Sequence, residues 1–78
     1  MKTVQISLNS IDKVKSFVNA ITQFETDFDL ISGRYVIDAK SIMGIFSLDL
    51  SKPIDLAIHA ESDANEGEIL EVLKPYMV

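Results

Sequence analysis

Apolar and polar residues alternate at the start of the chain, where Val4, Ile6 and Leu8 are separated by single polar residues. A period of two is typical of a strand that buries one face, so the first strand is predicted over residues 2–8. Apolar residues then recur at helical spacing, namely Ile11, Val14, Phe17, Val18 and Ile21. This spacing predicts an amphipathic helix over residues 10–23, with Ser10 as a suitable cap for its first amides.

Two further alternating segments flank a turn sequence. The pair Ser32-Gly33 separates them, with apolar residues before and after it at Phe28, Leu30, Tyr35, Ile37 and Ala39. A short turn between alternating segments indicates a hairpin, which predicts strands two and three. The alternation is then lost over residues 40–48, where Ser41 can cap a short second helix.

The last third of the chain continues with a strand and a helix. A fourth strand is predicted after Lys52-Pro53 by the alternating residues Ile54, Leu56 and Ile58. Asp63 stands three residues before Glu66, as in a capping box, and predicts a final helix that ends at Lys74-Pro75. The order β-α-β-β-α-β-α, with strands apolar on one face, predicts an open-faced α+β sandwich that forms a single domain over residues 1–78.

Composition narrows the classes of function. Twelve acidic residues oppose seven basic ones, and the resulting net charge of −5 is the wrong sign for binding nucleic acid or anionic membranes. The absence of cysteine removes disulfides and thiolate metal sites, and a single histidine does not make a zinc site. The sequence shows no leader or membrane-spanning run. We expect a cytoplasmic protein without a metal or cofactor.

Few residues suggest catalysis. His59 is the single histidine, and a solvated strand residue is favoured over a catalytic or phosphoryl-accepting one. Asp27 and Asp29 share one face of a strand, where a solvated polar face is favoured over an acid/base pair. The residues by themselves therefore give little support for an enzyme.

Residues 40–48 point instead to binding. They hold more apolar side chains than two helical turns can bury, so some are expected to be exposed. Met43 beside Ile42 is a composition common in protein-docking surfaces, with core packing as the alternative for each. Ser41 lies where free amides and the helix dipole would stabilise a phosphate, with a simple helix cap as the alternative.

The segment Ala39-Lys40-Ser41-Ile42-Met43-Gly44, followed by Ser47-Leu48, resembles the regulatory segment of HPr. HPr is the histidine-containing phosphocarrier protein of the bacterial sugar phosphotransferase system. The resemblance covers essentially the whole chain. It implies an HPr-like open-faced β-sandwich, with a four-stranded antiparallel sheet and three helices on one face.

The family carries its phosphoryl group on a histidine at the start of the first helix, close to an arginine and a proline. An ungapped alignment puts Ser10 at the histidine position, Asp12 at the arginine position and Lys13 at the proline position. A serine lacks the nucleophilic ring nitrogen, and Asp12 would repel a phosphate. The chain therefore resembles family members that lack the phosphoacceptor histidine.

In many Gram-positive members, a dedicated kinase phosphorylates a serine that opens the short helix, and the phosphorylated protein binds a transcriptional regulator. Ser41 matches this serine, and Ile42 and Met43 match exposed docking residues. The resemblance implies a non-enzymatic regulatory protein whose partners are phosphotransferase system components, a serine kinase or a transcriptional regulator. The alternatives are a phosphocarrier with another acceptor, such as His59, and a diverged binding scaffold.

Overall fold

The computed structural model describes residues 2–59 and 66–78. The elements are, in chain order, β1 (Lys2–Ile6), α1 (Ile11–Thr22), β2 (Asp27–Ser32), β3 (Tyr35–Asp38), α2 (Ile42–Phe46), β4 (Ile54–His59) and α3 (Glu66–Leu73). This is the predicted order, and the α+β class is confirmed. The predicted cap Asp63 lies outside the described residues. None of the described helices is long and apolar enough to cross a membrane.

The four strands form one antiparallel sheet in the order β1-β4-β2-β3. Leu56 on β4 lies opposite both Val4 on β1 and Leu30 on β2, so the apolar residues of neighbouring strands share one face. The three helices cover this face. Their contributions to the core are Val14, Phe17, Ile21, Ile45, Ile69 and Leu73, all fully buried.

The opposite face of the sheet has no helix over it in the described part of the chain and is largely acidic. By strand alternation it carries Asp27, Asp29, Asp38, Asp55 and His59. Three apolar residues also lie on this face. Ile31 and Val36 stand opposite each other on β2 and β3, and Ala57 on β4 stands opposite Asp29. The expectation that each strand is apolar on one face only is therefore wrong at these three positions.

The hairpin between β2 and β3 differs in detail from the prediction. Ser32 still pairs with Tyr35, so the turn consists of Gly33 and Arg34. Gly33 has a φ of 61° while Arg34 has no positive φ, which is the pattern of a type II′ turn that matches the twist of paired strands. Tyr35 alternates with the apolar residues of β3 but is 70% exposed. It lies at the turn end of β3, whereas α2 packs near Ile37 toward the other end.

The C-terminal residues close the outer edge of β1, which the sequence pattern did not indicate. Met77 forms an antiparallel bridge with Ile6, Ser7 donates its amide to the Tyr76 carbonyl at 2.7 Å, and Val78 donates to the Gln5 carbonyl at 3.2 Å. The Tyr76 ring is buried edge-on against Phe17 with centroids 5.7 Å apart. Its hydroxyl shares a 2.6 Å hydrogen bond with the Ser16 hydroxyl on α1, so the end of the chain ties β1 to α1.

Loss of this hydrogen bond should destabilise the protein. We expect Tyr76→Phe to lower the free energy of unfolding by about 1 kcal/mol, the usual net value of one such bond. In a Ser16→Ala background the same change should cost almost nothing, because the partner is already gone. Urea denaturation of the wild type, both single variants and the double variant measures this. Equal losses in the two backgrounds would show that the hydroxyls are not coupled.

Candidate functional site

Two exposed serines cap the first two helices. Ser10 has an extended backbone before α1, and its Oγ accepts a hydrogen bond from the Lys13 amide at 3.1 Å. Ser41 has the same role before α2, where its Oγ accepts from the Gly44 amide at 3.3 Å. A serine at this position satisfies an amide that has no partner within the helix. Both serines are therefore helix caps whose hydroxyls remain near solvent.

The chain just before Ser41 is firmly held. The Lys40 ammonium donates to the Phe24 carbonyl at 2.7 Å and lies 5.7 Å from the centroid of the Phe28 ring. The Lys40 amide donates to the Asp38 carboxylate at 3.0 Å, and Ala39 is completely buried. Both the ammonium and the backbone amide of Lys40 therefore make contacts within the protein. Ser41 is thus presented from a fixed position.

Apolar side chains beside Ser41 are exposed, as expected from the composition of residues 40–48. Met43 is 78% exposed and Phe46 is 41% exposed, whereas Ile45 is fully buried in the core. Ile42 is half-buried and packs against the core. Met43 and Phe46 are three residues apart, so they lie on the same side of α2.

This apolar surface continues onto α1. Ile11, at the first position of α1, is 62% exposed. A surface depression of about 540 Å³ joins the start of α1 to the chain around α2, and its lining is Asn9, Ser10, Ile11, Phe46, Leu50 and Ser51. We call Ile11, Ile42, Met43 and Phe46 the α1–α2 patch. The structure thus places Ser10 beside the patch to which Met43 belongs.

Sequence reasoning missed part of this surface. Ile11 was assigned to the apolar side of α1 by its spacing, but it precedes the first residue of that helix that reaches the core, Val14. Phe46 and Leu50 were not singled out as binding residues. The available signal was the high content of apolar side chains in this part of the chain. That content did not show which of these side chains the five-residue helix α2 leaves exposed to solvent.

His59 is separated from both serines by the sheet. Its side chain is on the face opposite the helices, and its Nε2 lies 2.7 Å from the Asp29 carboxylate. Asp27 faces it directly from β2. His59 was expected to be a solvated strand residue, but it is half-buried and paired. In the described ranges, no three His, Asp or Glu side chains are grouped so that they could hold a metal ion.

A polar loop borders the depression near Ser10. The Asp49 carboxylate accepts hydrogen bonds from the Ser51 hydroxyl at 2.5 Å and from the Ser51 amide at 3.1 Å. These two bonds stabilise the carboxylate form and lower the pKa of Asp49 below 3.8, with a smaller contribution from the charge of Lys52. The loop that carries Ser51 is therefore held by an ionised Asp49.

Removing the Ser51 hydroxyl should raise the pKa of Asp49 toward 3.8. The folded pKa is below the unfolded one, so the loop's contribution to stability is present above pH 3.8 and is lost as the pH falls through the folded value. An NMR titration of the Asp49 carboxyl in Ser51→Ala measures the change. Ser47→Ala is the control, because its hydroxyl bonds the Gly44 carbonyl instead. An unchanged Asp49 titration in Ser51→Ala would contradict this assignment.

Comparison with known proteins agrees with this architecture. Residues 13–77 match the family described as "PTS HPr component phosphorylation site". The crystal structure of HPr-C-His from Thermoanaerobacter tengcongensis is similar at 26% identity and a TM-score of 0.76, over 96% of this chain and 89% of the other.

The crystal structure of a phosphocarrier protein HPr from Bacillus anthracis str. Ames is similar at 28% identity and a TM-score of 0.69, over 99% of this chain and 94% of the other. No curated protein gives a significant match by sequence. The family match covers most of the chain, and the solved HPr structures share its sheet and helices. This chain therefore belongs to the HPr family, whose members are phosphocarriers that interact with other proteins of the phosphotransferase system.

Proposed function

We propose that this chain is a regulatory, non-enzymatic HPr protein that binds other cytoplasmic proteins through Ser41 and the α1–α2 patch. One observation carries the proposal: an exposed serine hydroxyl at a fixed helix start lies next to exposed apolar side chains, of which Met43 is 78% exposed. A kinase can reach such a hydroxyl, and a partner can dock on such a patch.

Phosphorylation of Ser41 would change this surface in a defined way. A phosphate adds a charge of about −1.5 to −2 beside an apolar patch and offers three oxygens to basic donors. The negative charge of Asp38 is directed away from this phosphate, because its carboxylate accepts the Lys40 amide and its side chain lies on the face of the sheet opposite the helices. The surface would then suit a partner that combines basic and apolar side chains, such as the family's transcriptional regulator.

The start of α1 supports regulation over phosphoryl carriage. Ser10 stands where we align the family's phosphoacceptor histidine, and its hydroxyl serves as the cap of α1. Asp12 adds a negative charge in the first turn, where a carrier would need to hold a phosphate. We infer that the usual transfer step, which forms a bond between phosphorus and a ring nitrogen, has no acceptor at this position.

One observation favours a second candidate, phosphoryl transfer through His59. The carboxylate of Asp29 contacts Nε2 of His59 at 2.7 Å, and a carboxylate partner orients an imidazole so that its other nitrogen points away from the pair. The half-buried ring lies on the acidic face of the sheet, however, where Asp27 would repel an incoming phosphoryl group. We therefore rank this candidate second.

Ser41→Ala should abolish phosphate incorporation when the chain is incubated with ATP and the family's serine kinase. The matched control is Ser10→Ala, which also removes a serine cap, at a similar cost of about 1 kcal/mol, but leaves the target hydroxyl in place. Intact mass spectrometry counts the phosphates, and circular dichroism checks that both variants are folded.

The outcomes separate the candidates. Labelling that persists in Ser41→Ala would contradict the assignment of the site. An acid-labile phosphate on His59, formed with phosphoenolpyruvate and the first enzyme of the phosphotransferase system, would favour the carrier role. A chain that takes no phosphate in either reaction would be a diverged binding scaffold.

Met43→Asp should weaken binding of the Ser41-phosphorylated chain to the regulator by about tenfold or more, because a charge replaces an exposed apolar contact. Val78→Asp is the control, since Val78 is also an exposed apolar residue, at 69% exposure, but lies at the C-terminus beside β1. Isothermal titration calorimetry measures both. Equal affinities for the two variants would place the docking surface elsewhere.

A further inference from the structure

The two edges of the sheet differ in the part of the chain that the structure describes. The outer edge of β1 is closed by the C-terminal segment, through the bridge between Ile6 and Met77. β3 pairs with β2 on one side, and no strand among residues 2–59 and 66–78 lies on its other side. An open strand edge presents unpaired amides and carbonyls that can pair with another chain.

The middle of β3 lacks the features that usually block such pairing. Tyr35 and Val36 are 70% and 61% exposed, so apolar side chains occupy the edge on both faces of the sheet. The Ala39 amide donates to the Phe28 carbonyl, which sets the alternation of the ladder. Odd-numbered residues of β3 therefore bond toward β2, and the amide and carbonyl of Val36 point outward.

We propose that β3 pairs antiparallel with β3 of a second copy of this chain, about a two-fold axis that passes midway between the two copies of Val36 and is perpendicular to the sheet. In this register Val36 faces Val36 of the second copy. Arg34 faces Asp38 of the second copy, and the reverse pair is generated by the symmetry. Tyr35 faces Ile37 of the second copy on the helix side of the sheet.

The charges at the two ends of the segment favour this register over registers that are shifted by two residues. The segment Arg34-Tyr35-Val36-Ile37-Asp38 is positive at one end, apolar in the middle and negative at the other end, so it complements itself only when antiparallel. A slip of two residues would place Val36 opposite Arg34 or Asp38 and would lose the paired charges. Arg34 would also offset the repulsion between Asp38 and Asp29, two carboxylates that face each other on β3 and β2.

The short length of β3 limits the expected affinity of the dimer. β3 has four residues, so the pairing buries less than the roughly 1,200 Å² of a standard stable interface. The net charge of −5 on each copy adds repulsion between the two chains. The structure therefore points to a weak, reversible dimer.

Sedimentation equilibrium of the full chain, from about 10 μM to about 1 mM, tests for a dimer of this strength. Either Arg34→Asp or Asp38→Arg alone should raise the dissociation constant by about tenfold, because each converts two attractive pairs into two repulsive ones. The double variant, Arg34→Asp with Asp38→Arg, restores opposite charges and should dimerise like the wild type. An equimolar mixture of the two single variants should form a heterodimer for the same reason.

A second measurement keeps the proposal testable if Asp38→Arg disturbs the turn in which Asp38 accepts the Lys40 amide. In NMR spectra of the wild type, the amide signals of Val36 and Asp38 should shift with concentration, whereas those of Ile11 and Met43 should not. A chain that stays monomeric at about 1 mM would overturn the proposal. A dimer that ignores both charge changes but is lost in Met43→Asp would also overturn it, since it would form through the α1–α2 patch.

Discussion

The position of α2 depends on contacts made outside the helix. α2 has five residues and buries only Ile45 completely, so its own packing contributes little. The chain before it is held instead by Lys40, whose ammonium bonds the Phe24 carbonyl and lies over the Phe28 ring. Because this anchor precedes Ser41 directly, it fixes both the capping hydroxyl and the direction in which α2 begins. The exposed side of α2 is a consequence: a short helix held at its start can leave Met43 in solvent without losing its place.

The order of elements could be predicted from the sequence because each strand and helix has one apolar side that must meet another. Val4, Leu30 and Leu56 meet across the sheet as their alternation requires. Other features depend on tertiary neighbours that local patterns do not contain. Tyr35 has the spacing of a core residue, yet α2 covers the other end of β3, so the ring is exposed. The return of Tyr76 and Met77 to β1 is a long-range contact after the last helix, and no spacing near Lys74-Pro75 indicates it.

The candidate site was predicted in the same partial way. Ser41 and Met43 are near one another in sequence, so local patterns were enough to predict the helix cap at Ser41 and an exposed apolar side chain beside it. The contribution of α1 could not be derived from the sequence pattern, because Ile11 and Phe46 are brought to one depression only by the packing of two helices. For His59, the secondary structure could be predicted but the side-chain contact could not. Its strand position was recognised, but its contact with Asp29 depends on the register between β4 and β2, which a single strand does not reveal.

The two serine caps show that the start of a helix and the chemistry of its first residue have separate requirements. A helix start needs a group that accepts a hydrogen bond from its first amides, and Ser10 supplies one to Lys13. Serine is among the best residues for that purpose, so Ser10 stabilises the start of α1 whatever its chemical role. Phosphoryl transfer, by contrast, needs a ring nitrogen and a basic neighbour, which Ser10 and Asp12 do not provide. Helix stability and phosphoryl transfer thus require different groups at this position. The stability of α1 requires only a hydrogen-bond acceptor. The same reasoning makes Ser41 suitable for regulation. Its hydroxyl caps a short helix, so a phosphate on that oxygen would change the contacts at the start of α2.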